Sequence, residues 1–285
     1  MGQRLAVIIF ATGKRYAHFV DPLIQSLREF FPPHDIVLFT DDTHRQDVIN
    51  ILQTSQSWYD LILNRFGAML GQRVLLEKYD QIFHIDADMI VCSKVESADI
   101  FSNGVTATIH PSFPGTFERR RESAAYVEGN PTYYQACFWG ATRDGFFKIC
   151  QAVDQGIRTD QANGIKAIWE DESHFNKYLA DNPPSKELSP TYAFPSYIGS
   201  LSHPETWMDQ DPKTFTPKIR HFGAGKPGTQ HGKYSGVLSI LPDANLLVLL
   251  QNDCCPIQAK LDVAEELMSR NDKYRHDPRV ASYRE

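Results

Sequence analysis

The sequence has 285 residues, of which 29 are Lys or Arg and 35 are Asp or Glu, so the formal net charge is −6. A composition of 42% hydrophobic and 22% charged residues is typical of a globular protein and excludes the disordered and fibrous classes. The acidic balance argues against nucleic-acid binding, and no apolar run approaches the roughly 20 residues of a membrane-spanning helix. The five cysteines are odd in number and lack a Cys-x-x-Cys pair, which argues against a disulfide framework or a structural zinc site and favours a reducing compartment.

The first half of the chain alternates between strand-like and helix-like segments. Apolar runs predict strands at residues 5–10, 35–40 and 81–85, and amphipathic patterns predict helices at 17–31 and 62–79. This alternation indicates an α/β domain with a mostly parallel sheet, in which ligands bind at the carboxyl ends of the strands.

The second half is richer in aromatic residues and turns. From about residue 182 onward Pro and Gly are frequent, which is typical of long loops folded over a site. A further helix is predicted at 258–270. We expect one main domain over residues 1–234 and a C-terminal extension of unknown role over 235–285.

Two aspartates follow the predicted strand at 81–85, in the segment FHIDADMIV. In an extended segment, residues i and i+2 point the same way, so Asp86 and Asp88 would face one spot while Ala87 faces the other. Two carboxylates at a strand end suit Mg²⁺ or Mn²⁺, which keep open positions for phosphate oxygens. The alternative is a solvated acidic turn.

A second cluster of polar residues lies in the segment WEDESHFNKYL, just before a helical run. Asp171, Glu172 and His174 gather there, next to Trp169, whose ring could contact a sugar face. The alternative is that Asp171 or Ser173 simply caps the helix, which such residues often do.

Six segments, in this order and spacing, resemble glycosyltransferase family 6, the group that contains the blood-group A and B transferases and the α-1,3-galactosyltransferases. They are FATGKRY, FHIDADMIV, HPSFPGTFERR, YYQACFWG, DQANGIKAIWEDESHFNKYL and ELSPTY. The resemblance covers about residues 9–192. It implies a GT-A fold, with a Rossmann-like α/β half fused to an acceptor-binding half, and transfer of galactose or N-acetylgalactosamine from a UDP-sugar with retention of configuration.

The resemblance also implies which residues bind the donor. Phe10 and Ala11 would line the nucleoside pocket and Tyr16 would stack on uracil, although Phe10 and Tyr16 could equally be core or helix-face aromatics. Arg65 would contact the donor, and the alternative is a solvated helix charge. Asp86, Ala87 and Asp88 would form the DXD motif, whose aspartates hold Mn²⁺ (or Mg²⁺) between the acidic protein and the diphosphate. Some bacterial relatives have Asn-x-Asn here and work without metal. This chain keeps both aspartates, so we expect it to depend on metal.

For the transferred sugar, Glu172 matches the catalytic glutamate, which either attacks the anomeric carbon or stabilises an oxocarbenium ion. Asp171 would bind donor-sugar hydroxyls. Gln135, Ala136 and Cys137 lie where the family selects the donor sugar, and the size of Cys137 favours UDP-galactose, with a glucose-type donor still open.

The acceptor side is less completely matched. His110, Thr116 and Trp169 would contact the acceptor, an oligosaccharide or a glycolipid-linked glycan. Phe194-Pro195 stands where the family usually has Trp-Asp, so the identity of the acceptor cannot be transferred from the mammalian enzymes.

The segment HFGAGKP resembles a loop that closes over UDP in other retaining glycosyltransferases. In it Lys226, and with it Arg220, would neutralise the diphosphate. A Gly-rich surface loop is the alternative.

The resemblance leaves three activities open. The main one is a metal-dependent, retaining transfer in α linkage, expected to be α-1,3. A UDP-sugar hydrolase and a catalytically silent carbohydrate-binding protein are the alternatives. Because the first predicted strand begins almost at Met1, without a membrane anchor, we expect a soluble bacterial or phage type of enzyme in the cytoplasm, either free or peripheral to the membrane.

Overall fold

The structure is a computed structural model that describes residues 3–42, 45–54, 57–111, 116–195 and 216–222, together with the single residues 267, 268, 271, 274, 277 and 280. The strands are β1 (Leu5–Ala11), β2 (Asp35–Thr40), β3 (Ile49–Leu52), β4 (Gln81–Ile85), β5 (Met89–Val91), β6 (Val105–Ile109), β7 (Tyr134–Thr142), β8 (Lys186–Leu188), β9 (Phe194–Pro195) and β10 (Ile219–His221). The helices are α1 (Lys14–Phe30), α2 (Trp58–Gly71), α3 (Arg73–Leu76), α4 (Ser97–Ile100), α5 (Arg143–Ala162) and α6 (Glu170–Asp181).

Within the described residues, seven strands form one sheet in the order β3-β2-β1-β4-β7-β6-β8. β1 pairs in parallel with β2 and with β4, whereas β7 runs antiparallel to both of its neighbours, β4 and β6. Every residue of β1 and of β4 is buried, because helices cover both faces of the sheet. This explains why their sequences are continuous apolar runs.

The two faces of the sheet carry two hydrophobic cores. One core packs α2, α5 and α6 against the sheet through an aromatic group in which Trp139 stacks on Phe66 and Phe146. The other packs α1 against the opposite face. A smaller sheet, ordered β5-β10-β9 in the described part of the chain, follows the carboxyl end of β4. The result is an α/β, GT-A-like fold with a mostly parallel sheet, which confirms the expected fold class.

The three strands predicted at 5–10, 35–40 and 81–85 are confirmed, and the helix predicted at 17–31 is α1, which begins at Lys14. The helical stretch predicted at 62–79 contains most of α2 and all of α3, with an interruption at Gln72, which leaves the helical conformation. None of the described helices combines the length and the apolar character needed to cross a lipid bilayer.

The C-terminal predictions lie mostly outside the described residues. Of the helix predicted at 258–270, only Leu267 and Met268 are described, and both are helical. The boundary between residues 1–234 and 235–285 stays a prediction.

Candidate active site

The acidic pair lies in a tight connection between β4 and β5. Asp86 follows the last residue of β4, and Ala87 and Asp88 form a turn, so the expected extended conformation is wrong. The turn is held at both ends: the Asp86 N–H donates to the Cys137 carbonyl at 2.9 Å, and the Asp88 carbonyl accepts from the Phe222 N–H at 2.9 Å. The turn, rather than strand alternation, therefore brings the two carboxylates together.

A histidine distant in sequence joins this pair. Asp86, Asp88 and His221 each offer one ligand atom, and these atoms lie within 4.8 Å of one another. The Nε2 atom of His221 is 3.5 Å from Oδ1 of Asp88. Two carboxylates and one imidazole fit Mn²⁺ better than Mg²⁺, which prefers oxygen ligands alone. His221 was not predicted as a ligand, although it begins the HFGAGKP segment, in which only Lys226 and the preceding Arg220 were expected to bind.

Arg65 brings a positively charged side chain to the site, where it pairs with two aspartates. It is only 7% exposed, so the alternative of a solvated helix charge is wrong. Its Nη1 donates to Oδ1 of Asp86 at 2.9 Å, and its Nε donates to Oδ2 of Asp171. Burial alone would raise the pKa of Asp86, but Arg65 and then His84, at 2.9 Å from the same oxygen, hold it well below its usual range. Arg65 thus keeps Asp86 ionised at neutral pH and fixes its direction.

Glu172 lies in the first turn of α6 and is half-buried. Its two carboxylate oxygens accept different donors: Oε1 accepts from the Tyr133 hydroxyl at 2.9 Å, and Oε2 accepts from the Ala136 N–H at 3.0 Å. Burial raises the pKa of Glu172, and these two hydrogen bonds oppose the rise because they favour the charged form. The arrangement holds one carboxylate in a fixed orientation at the end of the sheet.

Helix α6 is fastened directly to β7. The Asn176 side chain accepts from the Tyr134 N–H and donates to the Tyr134 carbonyl, both at 2.8 Å. Because Asn176 is one helical turn beyond Glu172, this pair of bonds sets the distance between the glutamate and β7, which carries Ala136 and follows directly after Tyr133.

The entry to α6 is strained and firmly held. Glu170 has a φ of 41°, an uncommon conformation for a residue with a side chain. On the preceding residues, Oε2 of the buried Glu118 accepts from the Ile168 N–H at 2.9 Å, and the Ser173 hydroxyl oxygen accepts from the Trp169 N–H at 2.9 Å. Asp171 does not cap the helix as the alternative proposed, because its carboxylate faces Arg65.

The tripeptide Gln135-Ala136-Cys137 connects these groups. Gln135 lies with its amide nitrogen 3.1 Å from Nδ1 of His221, Ala136 donates to Glu172, and the Cys137 carbonyl accepts from the acidic turn. All three residues are buried, and burial raises the pKa of the Cys137 thiol to about 11. The segment expected to select the donor sugar therefore contacts both the candidate metal ligands and Glu172.

The residues expected at the nucleoside lie at the start of the fold. Phe10 and Ala11 end β1 and are buried, and Phe10 stacks on Phe39 with ring centroids 4.2 Å apart. Tyr16 is half-buried against the core on the α1 side of the sheet. These positions are at the carboxyl edge of the sheet, as expected, and the part these residues play in binding stays a prediction.

The residues expected at the acceptor lie beside Glu172 only in part. His110 packs edge-on against Tyr133, with ring centroids 5.5 Å apart, and is thus one ring away from the glutamate. Trp169 is 38% exposed and Thr116 is exposed. The structure places Arg220 over the Phe194 ring at 5.5 Å, and Lys226 lies outside the described residues.

The chain is similar in sequence to known glycosyltransferases. The family model of "Glycosyltransferase family 6" matches residues 3–204. The chain is 29% identical over 216 residues to histo-blood group ABO system transferase 2 of Rattus norvegicus, which covers 66% of this chain and 62% of the relative. It is 30% identical over 243 residues to globoside alpha-1,3-N-acetylgalactosaminyltransferase 1 of Homo sapiens, which covers 76% of this chain and 65% of the relative.

A third relative, human alpha-1,3-galactosyltransferase 2, is 36% identical over 91 residues, which is 31% of this chain and 27% of the relative. The chain thus spans less than two thirds of the length of the first two relatives. The family match covers most of the described residues, including every strand from β1 to β9. The chain belongs to glycosyltransferase family 6.

Proposed function

We propose that this protein transfers galactose or N-acetylgalactosamine from a UDP-sugar to a glycan acceptor, in α-1,3 linkage, with retention of configuration and with a divalent metal. The observation that carries the proposal is the half-buried Glu172, with a hydrogen bond on each oxygen, beside the acidic turn and His221. A protein that only bound carbohydrate would gain nothing from a carboxylate that is partly desolvated and held by two donors.

The donor diphosphate would lie at the acidic turn. Asp86, Asp88 and His221 would hold Mn²⁺ (or Mg²⁺), with positions left open for phosphate oxygens. When bound, the metal neutralises the diphosphate and stabilises UDP as a leaving group. Arg65 supports this site indirectly, because it fixes Asp86 on the side turned away from solvent.

Glu172 would act on the anomeric carbon of the donor sugar. A carboxylate placed opposite UDP either forms a glycosyl intermediate or stabilises the developing positive charge on the ring while the acceptor enters on the leaving-group side. Tyr133 and Ala136 orient its two oxygens, and the buried surroundings strengthen its electrostatic effect. Asp171, in the same helical turn as Glu172 and paired with Arg65, would accept hydrogen bonds from donor-sugar hydroxyls.

The specificity of the proposed transfer rests on two groups of residues. Gln135, Ala136 and Cys137 would contact the donor sugar, and the relatives include both an N-acetylgalactosaminyltransferase and a galactosyltransferase. His110, Thr116 and Trp169 would face the acceptor, with the half-exposed indole ring providing an apolar surface for a sugar. Phe10, Ala11 and Tyr16 would contact the uridine.

The proposal is tested by measuring UDP release from UDP-galactose, UDP-N-acetylgalactosamine, UDP-glucose and UDP-N-acetylglucosamine, with Mn²⁺ or EDTA, and with or without glycan acceptors. We expect acceptor-stimulated release that EDTA abolishes. Glu172→Gln should lower the rate by a factor of about 10³, in the range that loss of one preorganised charged group costs. The matched control is Glu187→Gln on β8, because Glu187 also accepts a tyrosine hydroxyl, that of Tyr134.

Each outcome has a separate meaning. Turnover that EDTA does not change would contradict the metal requirement. Full activity of Glu172→Gln would contradict the role of the glutamate, and release that no acceptor stimulates would favour the hydrolase.

A further inference from the structure

His221 presents its two ring nitrogens to different neighbours. Nε2 is 3.5 Å from Oδ1 of Asp88, on the side of the acidic turn. Nδ1 is 3.1 Å from the amide of Gln135 on β7. One nitrogen thus faces the candidate metal ligands, and the other faces a neutral side chain that has both a donor and an acceptor.

The Gln135 amide is buried and only half satisfied. Its residue is 9% exposed, and its Oε1 atom has no hydrogen-bond partner among the described residues. A buried carbonyl oxygen without a partner lowers the stability of the folded state by about 1–3 kcal/mol, so its presence calls for an explanation. Rotation of the amide by 180° places this oxygen beside Nδ1 and the NH₂ group where the oxygen was.

A histidine that binds a cation through Nε2 carries its proton on Nδ1 and needs an acceptor there. In metal sites this acceptor sets both the tautomer and the orientation of the ring. The Cys137 side chain also hydrogen-bonds with His221, but a thiol sulfur is a weak acceptor. The Gln135 oxygen meets the need better, since it lies on a side chain in contact with Nδ1.

We propose that Gln135 is a positioning residue for His221: its amide oxygen accepts the Nδ1–H and leaves the Nε2 lone pair directed at the cation shared with Asp86 and Asp88. This inference rests on the proposed metal-dependent function and deepens it. It gives Gln135 a role in metal affinity, in addition to its expected role at the donor sugar.

The test is the dissociation constant of Mn²⁺ for the full chain without any UDP-sugar, measured from the electron paramagnetic resonance signal of the free ion. Gln135→Leu, which is similar in size but has no acceptor, should weaken Mn²⁺ binding by about 10- to 100-fold, as loss of such supporting partners does. Gln135→Glu retains an acceptor at Nδ1 and should bind Mn²⁺ within about threefold of the wild type or more tightly.

A double-mutant cycle shows whether Gln135 acts through the histidine. Gln135→Leu should cause no further loss in a His221→Ala background, because the group that it positions is absent. An equal loss in both backgrounds, or a Gln135→Leu variant with wild-type affinity, would overturn the inference. If thermal melting shows that Gln135→Leu is unfolded, Gln135→Asn replaces it, since its amide is one methylene too short to reach Nδ1.

A separate variant tests the metal site on which the inference rests. Asp88→Asn should lose most of the Mn²⁺ affinity. If Asp88→Asn bound Mn²⁺ as the wild type does, the metal site itself would be refuted, whereas loss in Asp88→Asn with no effect in Gln135→Leu would refute only the role of Gln135.

Discussion

Two hydrogen bonds lower the pKa of Glu172 and so favour its charged form. Burial raises the pKa of this carboxyl, and the Ala136 N–H and Tyr133 hydroxyl oppose the rise. Tyr133→Phe removes the hydroxyl, so the pKa of Glu172 should rise further. Because Glu172 is expected to act as a carboxylate, the acidic limb of the kcat profile should move to higher pH by about one unit, the size expected for a charged hydrogen bond.

Tyr134→Phe is the matched control for this change, since its hydroxyl donates to Glu187 on β8 and not to Glu172. The acidic limb of kcat in Tyr134→Phe should coincide with that of the wild type. The same displacement in both variants, or in neither, would show that the Tyr133 hydroxyl does not tune Glu172.

The residues of the site were predictable from sequence to different degrees. Asp86, Asp88 and Glu172 stand in long segments with a specific spacing, and their chemistry is visible from the residue types alone. Tyr133 and His221 were not predicted because each acts through a contact that is distant in sequence. Tyr133 contacts Glu172, 39 residues away, and His221 contacts Asp88, 133 residues away. Nothing in the local pattern of the chain encodes those distances.

At the scale of elements, the contact between β4 and β7 depends on one residue without a side chain. Gly140 lies opposite Phe83 in the antiparallel pair, and a Cβ at Gly140 would overlap the Phe83 ring. Phe83 is fully buried, so the ring has little room to move. We expect Gly140→Ala to lower the free energy of unfolding by about 2 kcal/mol, measured by urea denaturation.

Gly71→Ala at the end of α2 is the control for this substitution, because a Cβ there meets nothing within 4 Å. Its free energy of unfolding should change by less than about 1 kcal/mol, in the stabilising direction that helix propensity favours. Equal stability of the two variants would contradict the close packing of Phe83 on Gly140.

The elements also show where local patterns stop being informative. β1, β2 and β4 were predicted because both faces are buried and the sequence is continuously apolar. β7 was not predicted, although all but its last residue are buried, because its aromatic residues also suit loops. Its antiparallel insertion between β4 and β6 is decided by packing across the whole sheet, which no window of sequence contains.

At the scale of the molecule, the candidate metal site joins two sheets. Asp86 follows β4 of the large sheet, whereas Asp88 and His221 belong to the turn and strand of the small sheet, with β10 paired to β5. Arg65 forms an ion pair with Asp86, and the chain as a whole has a net charge of −6. A divalent cation would therefore relieve repulsion between the two aspartates and connect segments that are 133 residues apart in sequence.

Mn²⁺ should for this reason stabilise the folded chain, since the unfolded chain cannot bring the three ligands together. At a free concentration 100 times the dissociation constant, binding contributes about 2.7 kcal/mol, which raises Tm by about 4–5 °C for a protein of this size. Asp88→Asn should lose this rise, as measured by differential scanning fluorimetry. Glu77→Gln should retain it, because Glu77 is an exposed acid that precedes β4 instead of following it. A rise in Tm of the same size in Asp88→Asn and in Glu77→Gln would mean that Mn²⁺ stabilises the protein through its overall charge and not through this site.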